Sequence, residues 1–297
     1  MRGYLPLLLL LSAIWGASYL FIKVAVGEIE PVPMVELRLL LGATVLIPFL
    51  LWRLGRRRAL AELKGAWRPG LVLGIVNGAI PFTLIAWGEK HIDSGVAAIA
   101  NATVPIFLVL LAIKFRPSER VTGLRFAGIG VGLVGVGVLS GIQPEGGWWA
   151  VAGTLAVVLA SVSYAVSGLY GQGRSTERSG PVLATASVLS GALVLFPFSL
   201  LQLPDHVPSA KVLGSVAALG MLGTGFAQLV LFRMWRRYGS ARTSLVTYLL
   251  PPTALLYGVL LLGEPLTLSE LGGLALILLG VGLGSGVRFA RRATAPA

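Results

Sequence analysis

Three uncharged amides stand inside apolar stretches of this 297-residue chain: Asn77, Asn101 and Gln228. A side-chain amide donates and accepts hydrogen bonds without carrying net charge. In hydrocarbon those bonds would go unmade, so such residues face protein or a wet cavity. Each recurs at helical spacing with other groups that can touch a small solute. Gly74, Asn77 and Pro81 share one face; so do Ser94, Ala98, Asn101 and Pro105, and Met221, Gly225, Gln228 and Phe232. Ser244, Tyr248, Pro251 and Leu255 form a further row, and Ser12, Trp15 and Tyr19 another. Phe82, Trp87, Ser163 and Tyr164 complete the candidate binding set. Its chemistry is hydrogen bonding and ring stacking, which suits a neutral or zwitterionic solute. Pro81, Pro105, Pro251 and Pro252 interrupt the same stretches. Each removes a backbone donor and frees a carbonyl within a helix, so these four are the candidate hinges.

Groups that catalysis or metal binding would need are missing. There is no cysteine, and the two histidines, His91 and His206, fall between apolar stretches. No H-E-x-x-H, no paired-aspartate metal motif and no phosphate-cradling G-x-x-x-x-G-K is present. The expectation is a protein that is not an enzyme, with no cofactor and no metal. No pair of basic residues sits near the middle of the apolar stretches, which disfavours phosphorylated cargo, whose charge would need compensation there. Nor do the proline-bearing stretches carry an Asp or Glu at mid-depth. The sequence therefore shows no obvious proton relay and predicts downhill flux without a pH gradient.

The elements that must position these groups are membrane spans. The chain is 56% hydrophobic and 12% charged, with a mean hydropathy of +0.85. A soluble domain carries about 25% charged residues. A helical span needs roughly 20 mostly apolar residues. Ten stretches qualify: 4–26, 32–52, 69–88, 95–114, 121–141, 148–170, 181–202, 212–233, 241–262 and 267–288. The first is long for a signal peptide and is not followed by an A-x-A-like site, so it is expected to be retained.

A net charge of +12 raises the question of nucleic acid, and its placement argues against that partner. Twenty of the 24 Lys and Arg residues fall at the N-terminus, at the C-terminus or in the even-numbered loops. The odd loops are neutral or acidic. This alternation predicts both termini in the cytoplasm. The run Arg56–Arg57–Arg58 is placed to meet anionic lipid headgroups.

The second half repeats the first. SGVAAIANATVP (94–105) matches SARTSLVTYLLP (240–251) at an offset of 146. Gly128, Gly135 and Gly137 fall on Gly273, Gly280 and Gly282, and Trp15 falls on Tyr164 at an offset of 149. Pro48-Phe49 falls on Pro197-Phe198 at the same offset. With five spans in each half the two must lie in opposite orientation, which is the sequence trace of alternating access. The expected domains are residues 1–145 and 146–297.

Several of these residues also carry a resemblance. Trp15-Gly16 in the first span, Arg38 in the second, and GEPLTLSELGGLALILLGVGL (263–283) are similar to the signatures of the EamA-type drug/metabolite transporters. Glu119 stands where Glu264 stands in the second half. The resemblance covers essentially the whole chain. It implies an all-α membrane protein of ten helices in two inverted five-helix repeats. It also implies an inner-membrane exporter of small metabolites, foremost amino acids including aromatic ones. Drug or nucleobase efflux by the same fold is the alternative, and a membrane scaffold or lipid scramblase is the rival from another class. The expected partners are the small-molecule substrate and membrane lipid, and the chain is expected to be a monomer or homodimer. Lys23 and Glu36, at similar depth, are expected to pair. Arg38 lies deeper, and either closes the same network or meets a substrate carboxylate.

Overall fold

The structure, a computed structural model, describes residues 3–115, 123–141, 147–174, 178–238 and 246–285. Among the described residues every regular element is a helix. That follows from the solvent: in a bilayer each backbone N–H and C=O must be satisfied inside its own segment. Among the described residues six helices are long and apolar enough to cross a membrane. They are α1 (Tyr4–Ala25), α2 (Pro31–Leu54), α4 (Trp67–Glu89), α8 (Gly147–Gly171, running on to Arg174), α9 (Gly180–Ser199) and the Ala210–Leu231 part of α10, which continues to Tyr238. Shorter apolar segments make up the rest. They are α5 (Ser94–Asn101) with α6 (Val104–Phe115), α7 (Leu124–Gly141), α11 (Val246–Leu262) and α12 (Leu268–Ser285).

One segment departs from the sequence expectation. The basic stretch after the second span, expected as a loop, holds a ten-residue helix, α3 (Arg56–Gly65). Gly55, at φ 74°, turns the chain into it. Its residue Ala59 is fully buried and packs with Leu50, Ala66 and Val182, while Arg56, Arg57 and Arg58 stay exposed. A helix lying along the surface satisfies its own backbone while keeping charge in the headgroup zone.

Between spans there is little hydrophobic driving force in lipid, so close backbone approach holds the bundle. Gly280 lies against Gly132 N at 2.5 Å and Gly128 O at 2.6 Å from where a Cβ would stand, joining α7 to α12. Gly74 on α4 meets Ser187 O at 2.6 Å and Gly191 N at 2.7 Å on α9. Gly220 on α10 meets Arg38 O at 2.7 Å and Gly42 N at 3.3 Å on α2. These last two contacts join the third helix of one half to the second helix of the other. Ser187 and Gly191 follow Arg38 and Gly42 by 149 positions.

Candidate functional site

Two of the candidate hinges, Pro81 and Pro105, adjoin irregular winding, while Pro251 and Pro252 lie within regular α-helix. Span four breaks: α5 ends at Asn101, residues 102 and 103 form a turn, and α6 starts at Val104 with Pro105 in its first turn. Span three keeps its length but contains a π-helical stretch, Gly74–Ala79, just before Pro81. The extra residue in a π turn accommodates a proline that cannot bond backwards. Span eight has its own π-helical stretch, Leu219–Phe226, among Gly220, Gly223 and Gly225. Span nine carries buried Pro251 and exposed Pro252 inside α11, which ends in a π-helical turn, Gly258–Leu262.

Side chains from the first helix of each half fasten these irregular segments of the other half. Ser12 Oγ on α1 donates to Leu249 O at 3.3 Å, ahead of Pro251. Ser161 Oγ on α8 lies 3.1 Å from Asn101 Oδ1 and 3.4 Å from Asn101 O, at the break before Pro105. Trp15 Nε1 donates to Gly223 O at 3.1 Å, in the π turn of α10. Ser163 Oγ donates to Val76 O at 2.7 Å, in the π turn of α4. Of these four carbonyls, Asn101 O is the one that Pro105 leaves without its helical donor.

Two groups of candidate residues come together. Asn101 Nδ2 donates to Tyr19 Oη at 2.7 Å, and Asn101 Oδ1 accepts from Ser161. Phe82 and Tyr164 meet edge-on, with ring centroids 6.4 Å apart. Tyr19, Phe82, Tyr164 and Tyr248 all belong to or pack on the main apolar cluster. Asn77 is half-buried and accepts from Ser167 Oγ at 2.9 Å. Gln228 is half-buried just past the π turn of α10. Other candidates lie apart. Trp15 packs in a second cluster with Leu8, Leu11 and Met234. Trp87 joins His91 and Trp149, at 4.7 and 6.4 Å between centroids, at the acidic-loop end of the bundle. The Phe232 side chain lies outside the described residues, as does Glu119.

Arg38 is the residue that spacing alone left undecided. It is 5% exposed, and its guanidinium carbon stands 3.8 Å from the centre of the Phe82 ring. Its Nε donates to Thr224 Oγ1 at 2.9 Å. Among the described residues no carboxylate comes within ion-pair distance of it. A guanidinium stacked on a ring keeps most of its N–H groups for a planar acceptor, and a carboxylate is the matching shape. The signal in the sequence was a single unpaired Arg well inside a span.

At the acidic-loop end, polar bonds cross between the halves. Gly263, at φ 70°, ends α11 and turns the chain so that Glu264 reaches α5. Glu264 accepts from Ser94 N at 2.9 Å and Ser94 Oγ at 2.7 Å, closing the orphan donors of that helix start. Glu28 accepts from Ser209 N at 2.6 Å and Ser209 Oγ at 2.7 Å. Those bonds hold the Glu28 carboxyl below its usual range. Burial pushes the Asp93 carboxyl up, with Glu264 adding to the rise and Lys23 opposing it. The expected Lys23–Glu36 pair does not form. Lys23 Nζ donates to Glu89 O at 2.9 Å and Ile92 O at 2.7 Å and lies 3.9 Å from Asp93, while Glu36 accepts from Ser199 Oγ. Glu36 and Ser199 instead border a groove of about 370 Å³ with Leu37, Leu40, Phe196 and Leu203.

Known proteins resemble this chain in sequence and fold. The model of the EamA-like transporter family matches residues 2–141 and again 151–285. The inner membrane transporter YedA of Escherichia coli is 30% identical over 93% of this chain and 88% of its own length. An uncharacterized transporter of Archaeoglobus fulgidus is 28% identical over 90% of this chain and 93% of its own. A protein of Salmonella typhimurium named "probable amino-acid metabolite efflux pump" is 27% identical, covering 94% and 93% of the two chains. One crystal structure superposes with a TM-score of 0.66 over 94% of this chain and 96% of that one at 22% identity, a likeness of fold alone. With the family model matching almost end to end, the chain belongs to the EamA-like transporter family and is a multi-pass membrane transporter.

Proposed function

We propose that this transporter exports amino acids, aromatic and other neutral ones, across the inner membrane by alternating access. The observation that carries the proposal is Arg38: a buried cation with no carboxylate partner among the described residues, stacked on Phe82 beside Tyr164. An amino acid carboxylate supplies what that guanidinium lacks, and the rings suit an apolar side chain. Tyr19 and Asn101 offer oxygen acceptors for the ammonium, with Asn77, Ser163, Gln228 and Tyr248 as the wider lining. Trp15, Trp87 and Phe232 complete the set.

The frame is ten spans in two inverted five-helix repeats, 1–145 and 146–297, with both termini cytoplasmic. The paired fastenings of Ser12 with Ser161 and of Trp15 with Ser163 support that frame, and so does the double match of the family model. Rocking of one repeat against the other would open the site to each side in turn. Export is favoured by the name of the Salmonella relative. The groove beside Glu36 is lined chiefly by Leu, Pro and Phe, which does not suit the polar track of a scramblase.

The test is counterflow in proteoliposomes containing the full chain, with a panel of labelled amino acids at equal pH on both sides. Exchange of neutral amino acids, fastest for those with aromatic side chains, is the expected result. No exchange of any amino acid, with exchange of a nucleobase or a cationic drug instead, contradicts the proposal.

A further inference from the structure

Glu89 ends α4, and span by span it reads as a residue of the acidic loop. The structure buries it completely: its exposure is 0%, and neither carboxylate oxygen has a hydrogen-bond partner among the described residues. The nearest cation among the described residues, Lys23 on α1, is turned to the backbone instead, donating to Glu89 O and Ile92 O. Arg38 on α2 is the next cation, and it is committed to Phe82 and Thr224. Glu264, which also faces this region, is held by Ser94, and Asp93 lies 3.9 Å from Lys23. Tyr19 on α1 is a further titratable group near it. The helix α8, which packs along α4, has no charged residue before Arg174.

A carboxylate without donor or counter-ion in an apolar interior is held only in its neutral form. We propose that Glu89 is a proton-binding site through which this transporter couples cargo movement to a proton. In this conformation Glu89 carries the proton on one carboxyl oxygen. When the acidic-loop end opens, that proton passes to water, and the carboxylate left behind takes Lys23 Nζ from the carbonyls of Glu89 and Ile92. Return to the closed form requires Glu89 to rebind one proton. Cycle by cycle one proton enters the site from one aqueous face and leaves by the other, with no redox partner. This goes beyond the downhill flux that the sequence predicts, and it rests on the transport proposal above only for its cargo.

The experiment uses full-length protein in proteoliposomes, with labelled phenylalanine as the cargo and an imposed pH gradient. Wild type is expected to accumulate phenylalanine above the level reached without the gradient. Glu89→Gln, which keeps the size and mimics the protonated form, is expected to lose that accumulation while counterflow at equal pH persists. Glu89→Asp, which keeps a carboxyl, should respond to the gradient. Gradient-driven accumulation by Glu89→Gln, or exchange by wild type that ignores the gradient, overturns the proposal. A second readout needs no cargo. Infrared titration of the detergent-purified protein should show a protonated-carboxyl band that is lost on alkalinisation and absent in Glu89→Gln. If phenylalanine and the other amino acids are not exchanged at all, the cargo proposal falls and this band decides the proton site. Its absence from wild type overturns the site, and its presence sustains it.

Discussion

Ser12 and Ser161 stand 149 positions apart, and each hydrogen-bonds a backbone carbonyl of the interrupted helix in the opposite half of the chain. Ser12 reaches Leu249 O ahead of Pro251, and Ser161 reaches Asn101 O, the carbonyl that Pro105 leaves without its helical donor. We take Pro105 and Pro251 as the bendable points of the bundle. Pro105→Ala returns an N–H to Asn101 O and stiffens the break. Pro251→Ala does the same in α11. In each variant transport is expected to fall by much more than the amount of folded protein in the membrane. Full transport by both single variants would show that the breaks are packing features without a gating role.

The contact of α7 with α12 gives a stability prediction. A methyl group at Gly280 meets the backbone of Gly132 and Gly128 at 2.5 and 2.6 Å, where neither helix can yield without separating. Gly280→Ala is expected to destabilise the protein by about 1–3 kcal/mol, the range for overpacking. Gly137→Ala, on α7 with nothing within 4 Å of the added carbon, should be neutral or slightly stabilising. Melting temperatures in detergent compare the two directly. Equal melting temperatures would remove close packing as the reason for glycine at position 280.

A pH prediction follows from Glu28, whose carboxyl is held below its usual value by the backbone and hydroxyl of Ser209. A group with a lowered folded pKa contributes stability that is complete above the ordinary carboxylate value of 4.5 and is lost as pH falls through the folded value. The melting temperature of wild type should therefore exceed that of Glu28→Gln at neutral pH, with the gap closing under acid. The group is at the surface, so the gap is small. A gap that widens as pH falls would contradict the sign.

Much of this was legible in the sequence, because the bilayer leaves so few options. Apolar length marked the candidate spans, and the prolines at 81 and 105 marked irregular winding, whereas α11 stays helical through Pro251. The amides did not show what they bond. Asn101 and Tyr19 are 82 residues apart, and only the bundle brings them to 2.7 Å. Span eight shows no proline, so its π turn rests on glycines whose role is close approach to α2. Lys23 and Glu36 have matching depth but lie against different neighbours, which depth alone cannot reveal. Glu89 was hidden by its position at a span's end, where burial depends on α8 and α1 packing over it.

The contact of Arg38 with Phe82 gives the most direct test of the proposed cargo site. Counterflow of labelled phenylalanine is measured against two competitors, unlabelled phenylalanine and phenethylamine, which keeps the ring and the ammonium but has no carboxylate. Losing a charge-assisted hydrogen bond costs about 1.5–3 kcal/mol, so phenethylamine should compete roughly ten- to hundredfold more weakly. In Arg38→Gln that difference should shrink, because the group that reads the carboxylate is gone. Equal competition by the two compounds in wild type, or an undiminished difference in Arg38→Gln, would contradict a carboxylate-binding role for Arg38.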